Sequence, residues 1–340
     1  MATNRNEHLQ KSLDNHDINR VEKLDKFIAK KNAVKNALNE KFSDSKASNC
    51  IDSGSYAKKT AINTKFDIDC CIPFKKKTKN DEKGYENLKD MFEDVYKYLR
   101  DEYTEEDDDI TKDDVRKQKV SVGLKFHIEG DEFDMDVVPG RERPNHNDYT
   151  NTSTDLSLYI YPPNRSNKEI DDNKTRIKTN IKKHIDLLSG SERTHERKVA
   201  KLLKIWKTER KNKNGGKLIK SFMMELYTKE AFDNAEEIPV GLWEKVKMVM
   251  NYIVDNITEN ALVDPANSSN IVSDSMSDTA KSETKKDMKK TIKEIDEDSD
   301  KIKEYFPINE EYDDENSESA SKTTASVLST SKFGEIEGRE

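Results

Sequence analysis

Residues 66–74 constrain the fold most strongly, because they place two carboxylates inside an otherwise apolar run typical of a β-strand. Side chains alternate along an extended chain, so Asp67 and Asp69 share one face. The opposite face carries Phe66, Ile68, Cys70 and Ile72. Two neighbouring buried carboxylates repel each other and are stable only with a cation. The pattern therefore predicts a strand with one face in the core and the other at a Mg²⁺ site.

The spacing of these two acids is not a signal by itself. The chain has 68 Asp and Glu among 340 residues, so acid-x-acid pairs arise by chance about 14 times. Most pairs, such as Asp296 and Asp298, lie in polar surroundings and are expected to be solvated. Asp67 and Asp69 differ because a Gly54-Ser55 turn precedes them and apolar residues flank them. Their setting favours a metal site over a solvated surface.

A second strand pair adds a third acid. Residues 120–128 alternate between apolar and polar, a turn follows at 129–131, and residues 133–139 alternate again, as in a β-hairpin. Asp134 and Asp136 share one face of the returning strand. A third carboxylate beside the first two completes a site for two ions about 3.5–4 Å apart. Asp136, next to Val-Val-Pro, is the predicted third ligand, and Asp134 is the alternative.

The order of these features resembles the polymerase-β-like nucleotidyltransferases. More closely, residues 21–307 resemble the bacterial cGAS/DncV-like nucleotidyltransferases (CD-NTases), relatives of oligoadenylate synthase that make cyclic oligonucleotide second messengers. The resemblance rests on the Gly-Ser turn, the Asp-x-Asp strand, the hairpin with its third Asp, and a helical C-terminal half. It implies an α+β, bilobal fold: a lobe with a mixed β-sheet core and a helical C-terminal lobe, braced by a long N-terminal helix.

The resemblance also assigns residues to the nucleotide. Gly54 and Ser55 would hold the donor triphosphate through the serine hydroxyl and backbone N–H groups. Glycine permits a close approach of the backbone, and a helix N-terminus attracts phosphate, which agrees with this role. Lys59 stands where relatives often carry Gly.

Three residues of the C-terminal half complete the nucleotide-binding set. Lys204 matches a lysine that reaches the triphosphate in relatives, although a solvated lysine is the alternative. Ser221 matches a hydroxyl that helps to hold the β- and γ-phosphates. Asp264 lies in a segment similar to the family's Asp-Pro-x-Asn-Pro-x-Asn near the nucleotide pocket, and it equally fits a helix N-cap or turn residue.

The predicted organisation has four parts. They are an N-terminal bracing helix (1–48), a nucleotidyltransferase core with the catalytic aspartates (49–165), a helical C-terminal lobe (166–306) and a disordered acidic tail (307–340), the last rich in Glu, Asp, Ser and Thr. The last helix of the helical lobe, within 274–306, has few apolar residues and is expected to pack weakly.

Composition excludes several classes of protein. The formal net charge of −8 argues against an extended surface for duplex nucleic acid. No apolar run approaches the roughly 20 residues of a membrane span, and the N-terminus lacks the apolar core of a signal peptide, so a cytoplasmic protein is expected. The three Cys and six His lack the spacing of a zinc site.

These observations and the resemblance together imply a Mg²⁺-dependent nucleotidyltransferase. It would use two ions, with Mn²⁺ as a substitute, to join NTPs (ATP and/or GTP) into a cyclic di- or trinucleotide with pyrophosphate release, in bacterial anti-phage signalling. A downstream effector would sense the product without contacting the enzyme, and an activating protein partner is compatible with this role. The alternatives are a nucleotidylyltransferase that modifies a protein or RNA acceptor and a catalytically silent interaction protein of the same fold.

Overall fold

The computed structural model describes residues 2–79, 81–143, 155–161, 176–214 and 219–312. The helices are α1 (Arg5–Asn15), α2 (Leu24–Lys41), α3 (Gly54–Ala57), α4 (Leu88–Lys97), α5 (Thr104–Glu106), α6 (Ile181–Ser189), α7 (Thr194–Asn214), α8 (Ser221–Asn234), α9 (Leu242–Asn256), α10 (Asp278–Glu297) and α11 (Ile302–Tyr305). The strands are β1 (Ile51–Ser53), β2 (Asp69–Phe74), β3 (Val115–Lys117), β4 (Val122–Ile128), β5 (Asp131–Glu142), β6 (Leu156–Tyr159), β7 (Arg176–Thr179), β8 (Val263–Asp264) and β9 (Asn267–Ile271). The predicted α+β class is confirmed. None of the helices described is both long and apolar enough to cross a membrane.

The central sheet is mixed, as predicted. Its order is β1-β2-β5-β4-β3, with β6 paired to the end of β5 and β7 paired to β6. Only one of these pairings, β2 with β5, is parallel. In its register Cys70 lies opposite Val137, so the start of β2 lies beside the middle of β5. This pairing brings the acids of two distant sequence segments together.

The predicted hairpin is confirmed as β4 and β5. Glu129 and Gly130 at its turn have φ angles of 51° and 89°. Two left-handed residues in a two-residue turn match the twist of the strands that they join. The register pairs Gly123 with Asp136 and Lys125 with Asp134.

The two faces of β2 separate as predicted. Phe66, Ile68, Cys70 and Ile72 are all buried in one core with α2 and α4. Cys71 faces the other way, into a small cluster with Val138 and Leu156. The regular strand begins only at Asp69, so Asp67 lies in the segment just before it.

The N-terminal region forms two helices where the sequence predicts one bracing helix in 1–48. In α1, Leu9 and Leu13 belong to the core of the helical lobe, whereas Phe27 of α2 belongs to the core of the sheet lobe. The chain breaks between them because the Asp17 side chain accepts from the Asn19 N–H and caps a short 3₁₀ turn. Such local bonds compete with helix continuation. The two helices share the bracing of the two lobes.

The sheet continues past residue 165, where the helical lobe was predicted to begin. Strand β7 pairs with β6 at the edge of the sheet. Its sequence, Arg-Ile-Lys-Thr, has no apolar run. Charged side chains are common on edge strands, and they hide such a strand from a search for apolar alternation.

The expectation that the last helix packs weakly is wrong. Thr284, Met288, Thr291 and Ile295 form a fully buried stripe on α10. Each threonine hydroxyl donates to the carbonyl four residues earlier, and Thr291 Oγ1 accepts from Trp206 Nε1 at 3.1 Å. Because the hydroxyls are satisfied, threonine can occupy a core position that a count of apolar residues misses.

The first six residues of the predicted disordered tail lie against the N-terminal helices. Ser12 Oγ donates to the Pro307 carbonyl at 2.9 Å. The Tyr312 carbonyl accepts from Asn15 Nδ2 at 2.7 Å and from Arg20 Nη1 at 2.9 Å. These backbone acceptors leave no trace in composition. The rest of the predicted tail, 313–340, lies outside the described residues.

Candidate active site

Three aspartates meet where β2 begins beside β5. The Asp136 backbone N–H donates to Asp69 Oδ1 at 3.0 Å. Asp67 precedes the strand, and its Oδ2 accepts from the Ser55 N–H at 3.3 Å. Asp69 and Asp136 expose only 3% and 4% of their surface. The parallel register of β2 and β5 produces this convergence.

At Asp69, burial and the neighbouring negative charges outweigh the donors around the carboxylate. Burial, followed by the charges of Asp136 and Asp67, raises the pKa of Asp69 well above the usual carboxyl range. The Asp136 N–H and the Lys58 ammonium oppose this shift without overcoming it. A buried carboxylate among like charges is stabilised by an added cation.

The donor atoms fit a divalent ion, because three carboxylates are hard oxygen ligands of the kind that Mg²⁺ and Mn²⁺ prefer. Across the described ranges, no group of three or more His, Cys, Asp or Glu side chains is already arranged as a metal site. Donors of the chain hold the individual acids: Ser55 N–H holds Asp67, and Gln118 Nε2 holds Asp136.

The alternative third acid, Asp134, lies two residues before Asp136 on β5. It is half-buried and pairs across the hairpin with Lys125. Its charge is not among those that shift the pKa of Asp69. The structure therefore places Asp136, and not Asp134, against Asp69.

The Gly54-Ser55 loop packs directly on the acids. Gly54 has a φ of +80°, and a Cβ on it would lie 2.6 Å from the Asp67 carbonyl oxygen and 2.9 Å from Asp69 Oδ2. Ser55 Oγ accepts from the Asp67 N–H at 3.0 Å, and the Tyr56 N–H donates to the Asp67 carbonyl at 3.1 Å. Only glycine fits this approach, and the loop and the acids form one bonded unit.

Lys59 keeps a left-handed backbone without being glycine. Its φ is 60°, a conformation that glycine adopts at least cost. The flanking residues, Lys58 and Thr60, both bond to the same buried acid, Glu225. Although Lys59 stands where relatives often carry Gly, its backbone therefore has a conformation that glycine would also adopt.

Lys204 is buried, which contradicts the solvated alternative. Its Nζ donates to Thr60 O and Thr60 Oγ1, each at 2.9 Å, and lies 2.7 Å from Glu225 Oε1. Burial lowers the pKa of Lys204, against the effect of its pairing with Glu225. Three acceptors around one nitrogen fit the charged ammonium form.

Glu225 joins the two lobes through opposite charges. Its Oε1 accepts from Thr60 Oγ1, and its Oε2 lies 2.6 Å from Lys58 Nζ. Burial acts to raise the pKa of Glu225, but the charges of Lys204 and Lys58 outweigh it and hold the pKa at about 2. The loop of the sheet lobe is thereby bonded to α7 and α8 of the helical lobe.

Ser221 is the first residue of α8, one turn before Glu225. Its Oγ accepts from Lys207 Nζ at 3.2 Å. Glu225 on the same helix bonds to Lys58 and Thr60, which follow the Gly54-Ser55 loop, and the role of Ser221 in holding phosphate stays a prediction.

Asp264 is buried, and its carboxylate bonds within its own turn and to His184. It accepts from the Ala266 N–H at 2.8 Å, from Asn270 Nδ2 at 3.1 Å and from His184 Nε2 at 2.8 Å. Although burial acts to raise it, these bonds and the His184 charge lower the pKa of Asp264. The turn accounts for the bonds to Ala266 and Asn270, and a role of Asp264 near the nucleotide stays a prediction.

Lys58, Glu225 and Gln118 were not predicted from the sequence. A weak signal for Glu225 was available, since it is a single acid in the apolar run Phe-Met-Met-Glu-Leu-Tyr. Lys58 lies in the predicted phosphate loop, where a cation is expected. Gln118 has no local signal, because its partner Asp136 is on another strand.

Comparisons with known proteins identify the family and the fold of the chain. A family model, the Second Messenger Oligonucleotide or Dinucleotide Synthetase domain, matches residues 1–174, just over half of the 340-residue chain. A search of curated proteins gave no match.

Several solved structures are similar in fold. E. coli MS115-1 CdnC, in a complex with HORMA-deltaN, is 19% identical with a TM-score of 0.64, over 86% of this chain and 90% of that chain. Bradyrhizobium diazoefficiens CdnG in complex with GTP is 12% identical with a TM-score of 0.64, over 90% and 96%. Vibrio cholerae DncV cyclic AMP-GMP synthase is 13% identical with a TM-score of 0.53, over 76% and 68%. At these identities the likeness shows a shared fold.

Proposed function

Because the chain belongs to the Second Messenger Oligonucleotide or Dinucleotide Synthetase family of bacterial CD-NTase nucleotidyltransferases, we propose that it joins NTPs into a cyclic di- or trinucleotide. Pyrophosphate is released at each step. The observation that carries this proposal is the position of Asp69, which is buried between Asp67 and Asp136 and packed under the Gly54-Ser55 loop. Acids and a phosphate-type loop in contact are what phosphoryl transfer requires.

Asp67, Asp69 and Asp136 are proposed to hold two Mg²⁺ ions, or Mn²⁺ in their place. When bound, such ions polarise the α-phosphate and neutralise the negative charge that develops during transfer. The chain itself supplies the orientation of the acids. Backbone N–H groups of Ser55 and Asp136 fix one oxygen each of Asp67 and Asp69.

The donor triphosphate is proposed to lie between the Gly54-Ser55 loop and the start of α8. Ser55 and Ser221 supply hydroxyl groups there, and Lys58 and Lys204 supply positive charge. The acceptor hydroxyl then attacks the α-phosphorus in line with the leaving pyrophosphate, and Asp136 is the carboxylate beside the acceptor that takes its proton.

The substrates and partners follow the same reasoning. The GTP bound to CdnG and the ATP named with another CdnC structure favour ATP and/or GTP as substrates. The HORMA-deltaN partner of CdnC favours an activating protein partner for this chain as well. We further propose a cytoplasmic enzyme of anti-phage signalling whose product is sensed by a separate effector.

The product decides this proposal. Purified protein is incubated with Mg²⁺ and four NTPs, each labelled in turn on its α-phosphate, and the products are treated with phosphatase. A ring has no terminal phosphate, so phosphatase leaves its chromatographic mobility unchanged, whereas a linear product loses its 5′-triphosphate and shifts while the label in its internal phosphodiester stays. A small resistant species supports the proposal and identifies the bases.

Two other outcomes contradict it. Label on protein or RNA indicates transfer to a different acceptor. Failure to bind Mg²⁺-NTP indicates an interaction protein. The Asp67→Asn/Asp69→Asn variant is the control for contaminating activity.

A further inference from the structure

Gln118 directs its side-chain amide at the third acid of the site. It is the first residue after β3, and its Nε2 donates to Asp136 Oδ1 at 3.0 Å. Like charges repel, so the Asp136 carboxylate is pushed away from Asp69 unless a hydrogen-bond donor holds it. The amide of Gln118 is such a donor, and it comes from the turn between β3 and β4.

The turn between β3 and β4 fixes the orientation of this amide. The Gln118 N–H donates to the Ser121 carbonyl at 2.8 Å, and Ser121 Oγ donates to Gln118 Oε1 at 3.2 Å. Ser121 is fully buried. With its oxygen engaged by the hydroxyl, the amide presents its NH₂ group to Asp136. The reversed amide would place its oxygen against the carboxylate.

Gly123 makes the room that this contact needs. It lies directly opposite Asp136 in the register of β4 and β5. A Cβ on Gly123 would lie 2.2 Å from Gln118 Nε2 and 3.4 Å from Asp136 Oδ1. Glycine inside a strand is unfavourable and often marks the close approach of another group. Here that group is the Gln118 amide.

We propose that Gln118 is a positioning residue that holds Asp136 in place for the divalent ion, with Gly123 as the residue that admits it. This inference rests on the proposed metal-dependent function. The contact acts through Asp136 and does not require Gln118 to touch the nucleotide. Partners of metal-binding side chains commonly change metal affinity by 10- to 100-fold when they are removed.

The first test replaces the amide with a side chain of similar length that cannot donate. Gln118→Met is expected to weaken Mn²⁺ binding to the nucleotide-free protein, measured by electron paramagnetic resonance, about tenfold. The kcat of pyrophosphate release should fall by a similar factor, while KM for NTP changes less than about twofold, because the donor pocket is untouched.

Gln10→Met is the matched control. Gln10 Nε2 also donates to a carboxylate, Asp14 Oδ1 at 2.7 Å, and its Oε1 accepts from Lys198 Nζ at 3.0 Å, so this half-buried amide bonds to α1 and α7 and to none of the three aspartates. This variant should keep the Mn²⁺ affinity and kcat of the wild type. Wild-type Mn²⁺ affinity in Gln118→Met would overturn the inference.

The second test uses the coupling between Gln118 and Gly123. Gly123→Ala should lower Mn²⁺ affinity as much as Gln118→Met does, because the added methyl group displaces the Gln118 amide. In a Gln118→Ala background there is space for the same methyl group. Adding Gly123→Ala there should therefore lower Mn²⁺ affinity by less than about a further twofold. An equal cost in both backgrounds would contradict the proposed role.

The two proposals fail in different ways. If the wild type binds Mn²⁺ but forms no product, the proposed function fails, and the ratio of Mn²⁺ affinities still decides the role of Gln118. If the wild type does not bind Mn²⁺ at all, the inference about Gln118 is overturned.

Discussion

The three aspartates and the Lys58–Glu225–Lys204 group are two buried charged clusters at one site, and they are balanced in opposite ways. Among the aspartates, burial and like charges raise the pKa of Asp69 well above the usual range. In the second cluster, two ammonium groups overcome burial and hold the pKa of Glu225 at about 2. One acid is destabilised by its neighbours, and the other is stabilised by them.

The difference separates a buried charge that the chain balances with its own cations from one that it leaves unbalanced. A buried acid that the chain's own cations satisfy contributes to holding the lobes together. A buried acid surrounded by other acids weakens the folded state, and its position is explained by a cation that arrives from outside. Substitutions should therefore have opposite effects on stability in the two clusters.

The largest effect is expected at the aspartates. Asp67→Asn/Asp69→Asn should reduce Mg²⁺-dependent pyrophosphate release by about a thousandfold or more, since the metal ligands are lost. Thermal stability without metal should hold or rise, because like-charge repulsion is relieved. Enzyme assays and thermal melts, with and without Mg²⁺, measure both effects.

Asp134→Asn is the matched control, because Asp134 lies on the same face of β5 as Asp136 but away from Asp69. It should retain activity within about threefold of the wild type. Near-native turnover in the double variant would overturn the metal assignment, and a large loss in Asp134→Asn would move the third ligand to Asp134.

The next effect is the opposite response of Glu225. Glu225→Gln leaves the buried Lys204 and the half-buried Lys58 without their counter-charge and should lower the free energy of unfolding by about 3–5 kcal/mol. Glu230 lies on the same helix, and burial raises its pKa. Glu230→Gln should therefore change stability by about 1 kcal/mol or less. Urea denaturation measures the free energy of unfolding of both variants. Equal decreases would mean that Lys58 and Lys204 do not depend on Glu225 for their stability.

Acid should remove the advantage of Glu225. Its pKa is about 2 when folded, against an ordinary value of 4.5. A lowered carboxyl pKa stabilises the fold fully above pH 4.5, and this contribution, about 3 kcal/mol, is lost as pH falls towards 2. The stability gap between the wild type and Glu225→Gln should therefore narrow between about pH 5 and about pH 3. A gap independent of pH would contradict the ionised state of Glu225.

The smallest effect on turnover is expected from removing the C-terminal residues, which belong to neither cluster. A chain that ends after Tyr312 should match the wild type in stability and turnover. A chain that ends after Phe306 loses the carbonyl partners of Ser12 and Asn15 and should be less stable by about 1–3 kcal/mol, with similar turnover while folded. Loss of turnover in a stable, shortened protein would show that the tail acts on the site.

The sequence predicted those parts of the site that have a local pattern. Asp67, Asp69 and the hairpin acid were visible as carboxylates in apolar strands, and Gly54 as a turn residue. Glu225 bonds to Lys58 across 167 residues of sequence, so no local pattern records their balance. Only the three-dimensional structure shows which buried charges pair with each other and which repel.

The fold was predictable to a similar extent and for similar reasons. The sheet and its hairpin follow from alternation of apolar residues. The break after α1, the charged edge strand β7 and the threonine stripe of α10 do not, because polar side chains there are satisfied by bonds that composition does not reveal.

From the packing of α1 we expect that residues 1–174, which the family model matches, do not fold by themselves. The family model ends at residue 174, yet Leu9 and Leu13 near its start are buried in the core formed with α7 and α9. Strand β6 also pairs with β7, which begins at Arg176. Residues 1–174 alone would expose an apolar helix face and an open sheet edge, both of which promote aggregation. The segment that the family model matches and the unit that is expected to fold cooperatively therefore have different boundaries. Substitutions in α9 should then alter the stability of residues 1–174, although α9 lies outside them.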